Sequence, residues 1–252
     1  MPNKPINLLS TRPLDVDLLK KAASFNVFID CIPFIETTSC INEEKKTWIK
    51  TLANKKTTIA FTSMNAVEGI IENLDGLHPD WNIFCMGGTT KTIIKKYFGE
   101  EAIKGIGTDS KSLAECIIKQ DAKEVVFFCG NIRRDEMPQL LTKQHIKLYE
   151  MVVYNTINTP VQITKVYDGI LFFSPSAVDS FFSINKIGDS NILFAIGSTT
   201  SKAIKNYSLN TIIKADSPEK DNLVKKAISY FTKKSNHANH PLEGLEGQLL
   251  TH

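Results

Sequence analysis

Residues 61–67 read FTSMNAV, and residues 172–178 repeat this pattern as FFSPSAV, 111 positions further along the chain. Residues 87–90, GGTT, return 110 positions later as residues 197–200, GSTT, and both are followed by matching Ile-Lys and Tyr residues. These offsets are the size of a domain and far exceed the repeat length of a solenoid or propeller. Each copy begins at the end of an apolar run and leads into a helical pattern. The repeat therefore predicts two similar α/β domains with small hydroxyl residues where strands pass into helices.

The composition is that of a globular protein with room for two ordinary hydrophobic cores. Of the 252 residues, 42% are hydrophobic and 23% are charged. The net charge of +3 is small and no run of Lys and Arg resembles a nucleic-acid-binding arm, so we expect no nucleic-acid partner. No signal peptide is evident and no apolar run approaches the roughly 20 residues of a spanning helix. We therefore expect a cytoplasmic protein without a membrane partner.

The placement of cysteine and histidine argues against a metal site and against a histidine-based catalytic triad. The five cysteines are scattered without a CxxC pair, mostly in apolar runs that are typical of buried thiols in a reducing compartment. Three of the five histidines fall in a polar tail, which leaves His78 and His145 in the folded part. That tail, residues 235–252, lacks sustained periodicity and is predicted to be disordered.

Short β-branched or aromatic runs alternate with amphipathic stretches, which is typical of parallel sheets covered by helices. The predicted strands are residues 6–11, 27–33, 57–62, 82–86, 124–129, 147–154, 169–173, 192–196 and 211–214. The predicted helices are residues 14–25, 43–52, 66–74, 89–98, 111–119, 133–144, 177–184, 199–206 and 218–231.

The two copies of the repeat are preceded by different numbers of strands and helices, and this predicts that one domain is discontinuous. Two strands and two helices precede the first copy, whereas the second begins about twenty residues after the strand that ends at Tyr154. The second domain must then borrow the strands near the N-terminus. We predict one domain from residues 1–34 and 158–234, an inserted domain from residues 38–150, and linkers at about 34–39 and 151–158. Two such linkers side by side would form a hinge with a cleft between the domains.

Six short segments occur in an order that resembles one known family. They are residues 8–13 (LLSTRP), 61–67 (FTSMNAV), 128–134 (FCGNIRR), 152–156 (VVYNT), 172–176 (FFSPS) and 195–200 (AIGSTT). Together they resemble the uroporphyrinogen-III synthases, and the resemblance extends over residues 6–232. It implies two flavodoxin-like α/β domains, one discontinuous, that are joined by a two-stranded linker.

The resemblance implies a cofactor-independent cyclising lyase of haem biosynthesis. Its substrate would be hydroxymethylbilane, a linear tetrapyrrole with eight carboxylates, which closes with loss of water and inversion of ring D. It further implies a monomer, with at most a transient contact with the upstream synthase. Helix N-termini and hydroxyl side chains at the carboxyl ends of parallel strands are suitable donors to carboxylates. The expected substrate-binding residues are Arg12, Thr62, Ser63, Asn65, Thr90, Cys129, Gly130, Asn131, Ser174, Ser176, Thr199 and Thr200.

Several of these assignments have an alternative. The Ser, Thr and Asn residues could act only as helix N-caps, each contributing about 1 kcal/mol to its helix. Tyr154 is the candidate general acid, because a phenol with a pKa near 10 is protonated at neutral pH; alternatively it packs between domains. Arg133 and Arg134 follow each other in a predicted helix, so that at most one of them could face a ligand.

Two other functions compete with the synthase hypothesis. A hinged anion-binding or sensor protein without catalysis would explain the repeat and the hydroxyl-rich junctions, but it leaves the ordered set of six segments unexplained. A nucleotide-dependent transferase would need a GxGxxG or GxxxxGKS loop, and the sequence contains neither.

Overall fold

The computed structural model describes residues 4–238 as a mixed α/β protein. Its strands are β1 (Ile6–Ser10), β2 (Val27–Cys31), β3 (Ile35–Ser39), β4 (Thr57–Phe61), β5 (Trp81–Met86), β6 (Ile103–Gly107), β7 (Glu124–Gly130), β8 (Lys147–Asn158), β9 (Gly169–Phe172), β10 (Ile192–Ala195) and β11 (Ile212–Lys214). Its helices are α1 (Val16–Ala23), α2 (Glu43–Ala53), α3 (Met64–Asn73), α4 (Thr89–Phe98), α5 (Ser110–Lys119), α6 (Glu136–Lys143), α7 (Pro175–Phe182), α8 (Ser198–Lys205) and α9 (Lys220–Ala238).

The strands form two sheets, and the predicted class of two parallel α/β sheets is confirmed. One sheet has the order β11-β10-β9-β1-β2 and the other has the order β3-β8-β7-β4-β5-β6. The pairs from β11 to β2 in the first sheet, and from β8 to β6 in the second, are parallel. Central strands such as β7, with the run VVFFCG, are buried on both faces, as expected for a parallel sheet between helical layers.

The chain divides into two compact units, each built around one sheet. Unit 1 comprises the residues up to Ile35 and those from Asn158 onward, and unit 2 comprises Glu36–Ile157. The strand orders match when β9, β10, β11, β1 and β2 are equated with β4, β5, β6, β7 and β8. The two units are therefore circular permutations of one another, because the strands that end unit 2 have counterparts that begin the chain in unit 1.

Both sheets have a topological switch point, where the chain leaves two adjacent strands in opposite directions across the sheet. In unit 1 it lies between β1 and β9, and in unit 2 it lies between β7 and β4. Open α/β sheets bind ligands outside the carboxyl ends of the strands at such points. We call the edge of each sheet where its parallel strands end the carboxyl edge.

Each sheet has a hydrophobic cluster on both of its faces. In unit 2, α3 packs on one face through Ala66, Val67 and Ile70, which are buried at helical spacing, and α5 packs on the other face through Leu113 and Ile117. In unit 1, α7 and α8 pack in one cluster and α1 and α9 in the other. Across residues 4–238, no helix combines the length and the apolar character that a membrane span requires.

Four elements differ from their sequence-based predictions. The linker predicted at about 34–39 contains strand β3, and the region between α4 and α5 contains strand β6, which was not predicted. The helix predicted from residue 133 begins only at Glu136, so Arg133 and Arg134 lie in the preceding loop. Helix α9 extends to Ala238, into the predicted disordered tail, and the rest of that prediction, residues 239–252, lies outside the described residues.

Candidate functional site

The switch point of unit 2 brings together the residues that follow β4 and β7. These strands are neighbours in register, with Phe61 opposite Phe128, so the loops beyond them start side by side. Ser63 is the N-cap of α3, and its Oγ accepts a hydrogen bond from the backbone N–H of Asn65 at 3.2 Å. Thr62 and Asn65 flank it and are half-buried. Ser63 therefore acts as a helix N-cap, which is one of the two roles expected for the hydroxyl residues at these junctions.

Tyr154 of β8 lies directly against Gly130 at the end of β7. The register between these strands shifts after Cys129, which is opposite Val152, so that Gly130 is opposite Tyr154. A Cβ atom on Gly130 would lie 2.5–2.8 Å from the ring and hydroxyl atoms of Tyr154. Only glycine leaves room for the phenol at this position, and the bulge directs Tyr154 toward the carboxyl edge.

The environment of Tyr154 keeps its phenol protonated. Burial raises the pKa of Tyr154 above its ordinary value because the phenolate is poorly solvated there. A hydrogen bond with the Ser63 hydroxyl lowers this pKa and so opposes the effect of burial. The hydroxyls of Tyr154 and Ser63 are therefore neighbours. A phenol that stays protonated at neutral pH can donate a proton to a leaving group.

Asn131 follows Gly130, and its side chain bonds to the protein backbone. Its Oδ1 accepts from the backbone N–H groups of Thr156 at 2.7 Å and Ile132 at 3.0 Å, and its Nδ2 donates to the Thr156 carbonyl at 3.3 Å. Its own backbone N–H donates to the Tyr154 carbonyl at 3.1 Å. The amide predicted as a substrate donor is thus engaged largely within unit 2.

Arg133 is similarly engaged. Its guanidinium forms ion pairs with the carboxylates of Asp135 and Glu150. The prediction that Arg133 and Arg134 share a helix is wrong, because both precede α6. Because its guanidinium is already paired with two carboxylates of the protein itself, we do not include Arg133 in the site.

The switch point of unit 1 has a corresponding arrangement around β1 and β9. Ser174 is the N-cap of α7, with Oγ accepting from the Ala177 N–H at 3.1 Å, and Ser176 lies half-buried in the first turn. Arg12, just beyond β1, is exposed, and its guanidinium lies 5.7 Å from the ring centroid of Phe173. A cation held over an aromatic ring at the end of a strand is suited to bind a carboxylate in two-point fashion.

The next junction in each unit starts its helix without a side-chain cap. Gly88 precedes α4 and Gly197 precedes α8, and neither helix start has a side-chain cap bond. Gly88 has φ +71°, which favours glycine. The first-turn N–H groups of such helices remain available to an anion.

The predicted hydroxyl residues at these two helix starts differ in accessibility. The side chains of Thr90 and Thr200 are buried, whereas Thr199 is half-buried. Cys129 is fully buried in the core of unit 2, where burial raises the pKa of its thiol to about 11. We therefore leave Cys129 out of the proposed site, and expect Thr90 and Thr200 to act only through backbone N–H groups.

Two features of the site had no sequence prediction. Phe173 lies under Arg12, and Thr156 is the partner of Asn131. Thr156 belongs to the quoted VVYNT segment, but only the bulge in the β7–β8 pairing shows why it meets Asn131. Within residues 4–238 no group of three or more His, Cys, Asp and Glu side chains is arranged to hold a metal ion.

Comparisons with known proteins agree with this architecture. A family model described as uroporphyrinogen-III synthase HemD matches residues 18–225. A crystal structure of a mutant uroporphyrinogen III synthase from Thermus thermophilus is similar with a TM-score of 0.66 at 13% identity, over 92% of this chain and 99% of that chain. The structure of uroporphyrinogen-III synthetase from Helicobacter pylori is similar with a TM-score of 0.61 at 14% identity, over 89% of this chain and 99% of that chain. The structural likenesses indicate a common fold, and the family model spans most of the sequence.

Proposed function

The chain belongs to the uroporphyrinogen-III synthase family, and we propose that its two carboxyl edges bind hydroxymethylbilane while Tyr154 protonates the leaving hydroxyl. The protein is thus a cofactor-independent cyclising lyase, which closes the linear tetrapyrrole with loss of water and inversion of ring D. The contact of Tyr154 with Gly130, beside the Ser63 cap at the switch point, is the observation that carries the proposed site.

Binding is assigned to donors that the fold places at the carboxyl edges. The substrate has eight carboxylates, so the protein must present several separate anion-binding positions. Uncapped helix starts at α4 and α8, the capped starts at α3 and α7, and Arg12 supply such positions. We assign substrate contacts to Arg12, Thr62, Ser63, Asn65, Ser174, Ser176 and Thr199, to the backbone at Thr90, Gly130 and Thr200, and to the helix N–H groups beside them.

The proposed chemistry balances without a cofactor. The phenol of Tyr154 gives its proton to the departing hydroxyl, the carbon–oxygen bond breaks, and one water leaves. The resulting methylene-pyrrole cation is attacked by the substituted carbon of ring D, which gives a spiro intermediate that rearranges to the inverted ring. The proton that is lost when ring D regains aromaticity returns to the phenolate, directly or through solvent, so that the net change is the loss of one water.

Control of the product is the main catalytic task. Hydroxymethylbilane also closes unaided, through the nearest free carbon, to the unrearranged isomer I. The protein must therefore hold ring D so that the substituted carbon is nearer to the cation than the free carbon is. This is positional catalysis, in which binding energy selects between two competing transition states.

We further propose that the protein acts in the cytoplasm as a monomer, with at most a transient contact with the upstream synthase. All five cysteines are free, as is usual in a reducing compartment. Sedimentation at increasing concentration tests the monomer, and a dimer at micromolar concentration would contradict it.

The direct test of the function is a product assay. Fresh hydroxymethylbilane is supplied to the purified protein, and the oxidised products are separated by isomer. We expect isomer III well above the protein-free control. Isomer I alone, at the rate of the control, would exclude the synthase and favour the anion-binding alternative without catalysis.

Ser174→Ala tests whether the capping serines also bind substrate. Removal of the cap should lower the free energy of unfolding by about 1 kcal/mol, and loss of a substrate contact should also raise KM several-fold. Asp109→Ala is the matched control, because Asp109 caps α5 through the Ser112 N–H at 2.8 Å away from either switch point. If both variants lose the same free energy of unfolding and keep an unchanged KM, Ser174 acts only as a helix cap and does not bind substrate.

A further inference from the structure

We propose that Asn131 is a positioning residue that holds Tyr154 in place, rather than a ligand of the substrate. The inference rests on the proposed role of Tyr154 and adds a residue that acts through it. Asn131 follows Gly130, which ends β7 and is the last residue of β7 in register with β8. Strand β8 continues for four more residues after Tyr154, to Asn158.

The Asn131 side chain takes the place of the missing strand partner. Its amide group bonds to both the N–H and the carbonyl of Thr156, so that both backbone groups of this residue are paired beyond the end of β7. The Asn131 backbone N–H bonds to the Tyr154 carbonyl. On the β7 side, residues 154 and 156 are thus both held by Asn131, while β3 pairs along the other edge of β8.

The amide has little capacity left for a substrate carboxylate. Its oxygen accepts two backbone N–H groups, those of Thr156 and Ile132, and so uses both lone pairs. One of its two N–H donors is given to the Thr156 carbonyl. A single N–H remains, and a carboxylate bound there would gain no more than it gains from a backbone amide at a helix start.

The position of Thr156 must be held here because the register between β7 and β8 shifts just before this point. The bulge between Cys129 and Gly130 changes the register, and the contact of Tyr154 with Gly130 depends on that change. In a strand, a slip of one residue turns every side chain to the other face. Such a slip would bring Asn155 toward Gly130 and turn Tyr154 away, so a bond that fixes residue 156 preserves the position of the phenol.

Two substitutions of Asn131 separate positioning from substrate binding. Asn131→Ala removes all three side-chain bonds, and we expect the ratio of isomer III to isomer I to fall by between about tenfold and a hundredfold. Asn131→Asp keeps the oxygen that accepts the two N–H groups, and should restore most of this ratio. A substrate ligand would behave in the opposite way, because a carboxylate at position 131 would repel the substrate carboxylate and make Asp worse than Ala.

Asn191→Ala is the control for general destabilisation. The Asn191 side chain also bonds to backbone groups, accepting from the Gly188 N–H at 2.8 Å and donating to the Tyr167 carbonyl at 2.5 Å. It directly precedes β10 and so lies at the edge of the unit 1 sheet opposite the carboxyl edge. All variants are assayed well below their melting temperatures. We expect Asn191→Ala to lower the melting temperature without changing the isomer ratio.

The outcomes distinguish this inference from the proposed function. An unchanged ratio in Asn131→Ala, or a lower ratio in Asp than in Ala, overturns the positioning role while Tyr154→Phe still reports on the acid. If Asn131 acts through Tyr154, adding Asn131→Ala to Tyr154→Phe should cause little further loss. A full additional loss in the double variant would also overturn the inference.

Discussion

Gly130→Ala is expected to remove most isomer III formation, by about a hundredfold or more, because the added methyl group occupies the space of the Tyr154 ring. The Cβ would lie 2.5 Å from the ring carbon that bears the hydroxyl, far inside van der Waals contact. The ring must move, and a displacement of about 1 Å at a catalytic group can cost about a hundredfold in rate. Overpacking should also lower the free energy of unfolding by about 1–3 kcal/mol. Both quantities are measured, by isomer-resolved assay and by denaturant unfolding.

A second crowded glycine supplies the control. A Cβ on Gly105 of β6 would lie 2.7 Å from the Phe84 ring, within the core of unit 2 and not at Tyr154. We expect Gly105→Ala to lose similar stability while the specific activity of its folded fraction stays near that of the wild type. Adding Tyr154→Ala to Gly130→Ala should restore stability but not activity. If Gly130→Ala retained full activity, the close contact between the glycine and the phenol would not matter for the reaction.

Tyr154→Phe should slow isomer III formation by about a hundredfold and leave the fold intact. The ring still packs against Gly130, but the proton donor is gone, and general acid catalysis is worth at least about that factor. The lost bond to Ser63 should change the free energy of unfolding by about 1 kcal/mol at most. Single-turnover kinetics with fresh substrate would measure the rate.

The raised pKa of Tyr154 also gives a pH dependence. Burial disfavours the phenolate, so the acid stays protonated throughout the neutral range and selectivity for isomer III should fall only above pH about 10. Tyr149→Phe is the control on the same strand, since Tyr149 is exposed and contacts Lys147. A large loss of stability in Tyr154→Phe with unchanged specific activity would instead assign Tyr154 to packing.

The fold class could be predicted because its signals are local and repeated. Strands such as β4 and β9 are apolar runs that end at a serine cap, and each of the nine predicted strands occurs in the structure. The family resemblance drawn from the six segments is confirmed by the family match. Strands β3 (IETTS) and β6 (IKGIG) escaped prediction because polar residues and two glycines give them weak strand character.

The site was less accessible to sequence reasoning, since it depends on register and burial. The apolar run VVFFCG favours a buried thiol at Cys129, and the structure buries it, but nothing in that run shows that the next residue, Gly130, meets Tyr154. Asn131 was expected to be a donor to substrate, but its partner is set by a bulge that a single sequence does not reveal. The ion pair between Arg133 and Glu150 likewise depends on the pairing of β7 with β8, because Glu150 belongs to β8.

The permuted strand order has a consequence for synthesis on the ribosome. All of unit 2 lies within one continuous stretch, so it can fold as soon as that stretch has emerged from the exit tunnel. Strands β1 and β2 emerge first, yet β1 needs β9 beside it, and the Asn7 N–H bonds to Asp168, 161 residues later. The nascent protein must therefore carry β1 and β2 without their neighbouring strand until β9, which begins at Gly169, has been synthesised. Chaperones that recognise exposed β-strands would act on this segment first, and slower translation before residue 169 would lengthen its exposure.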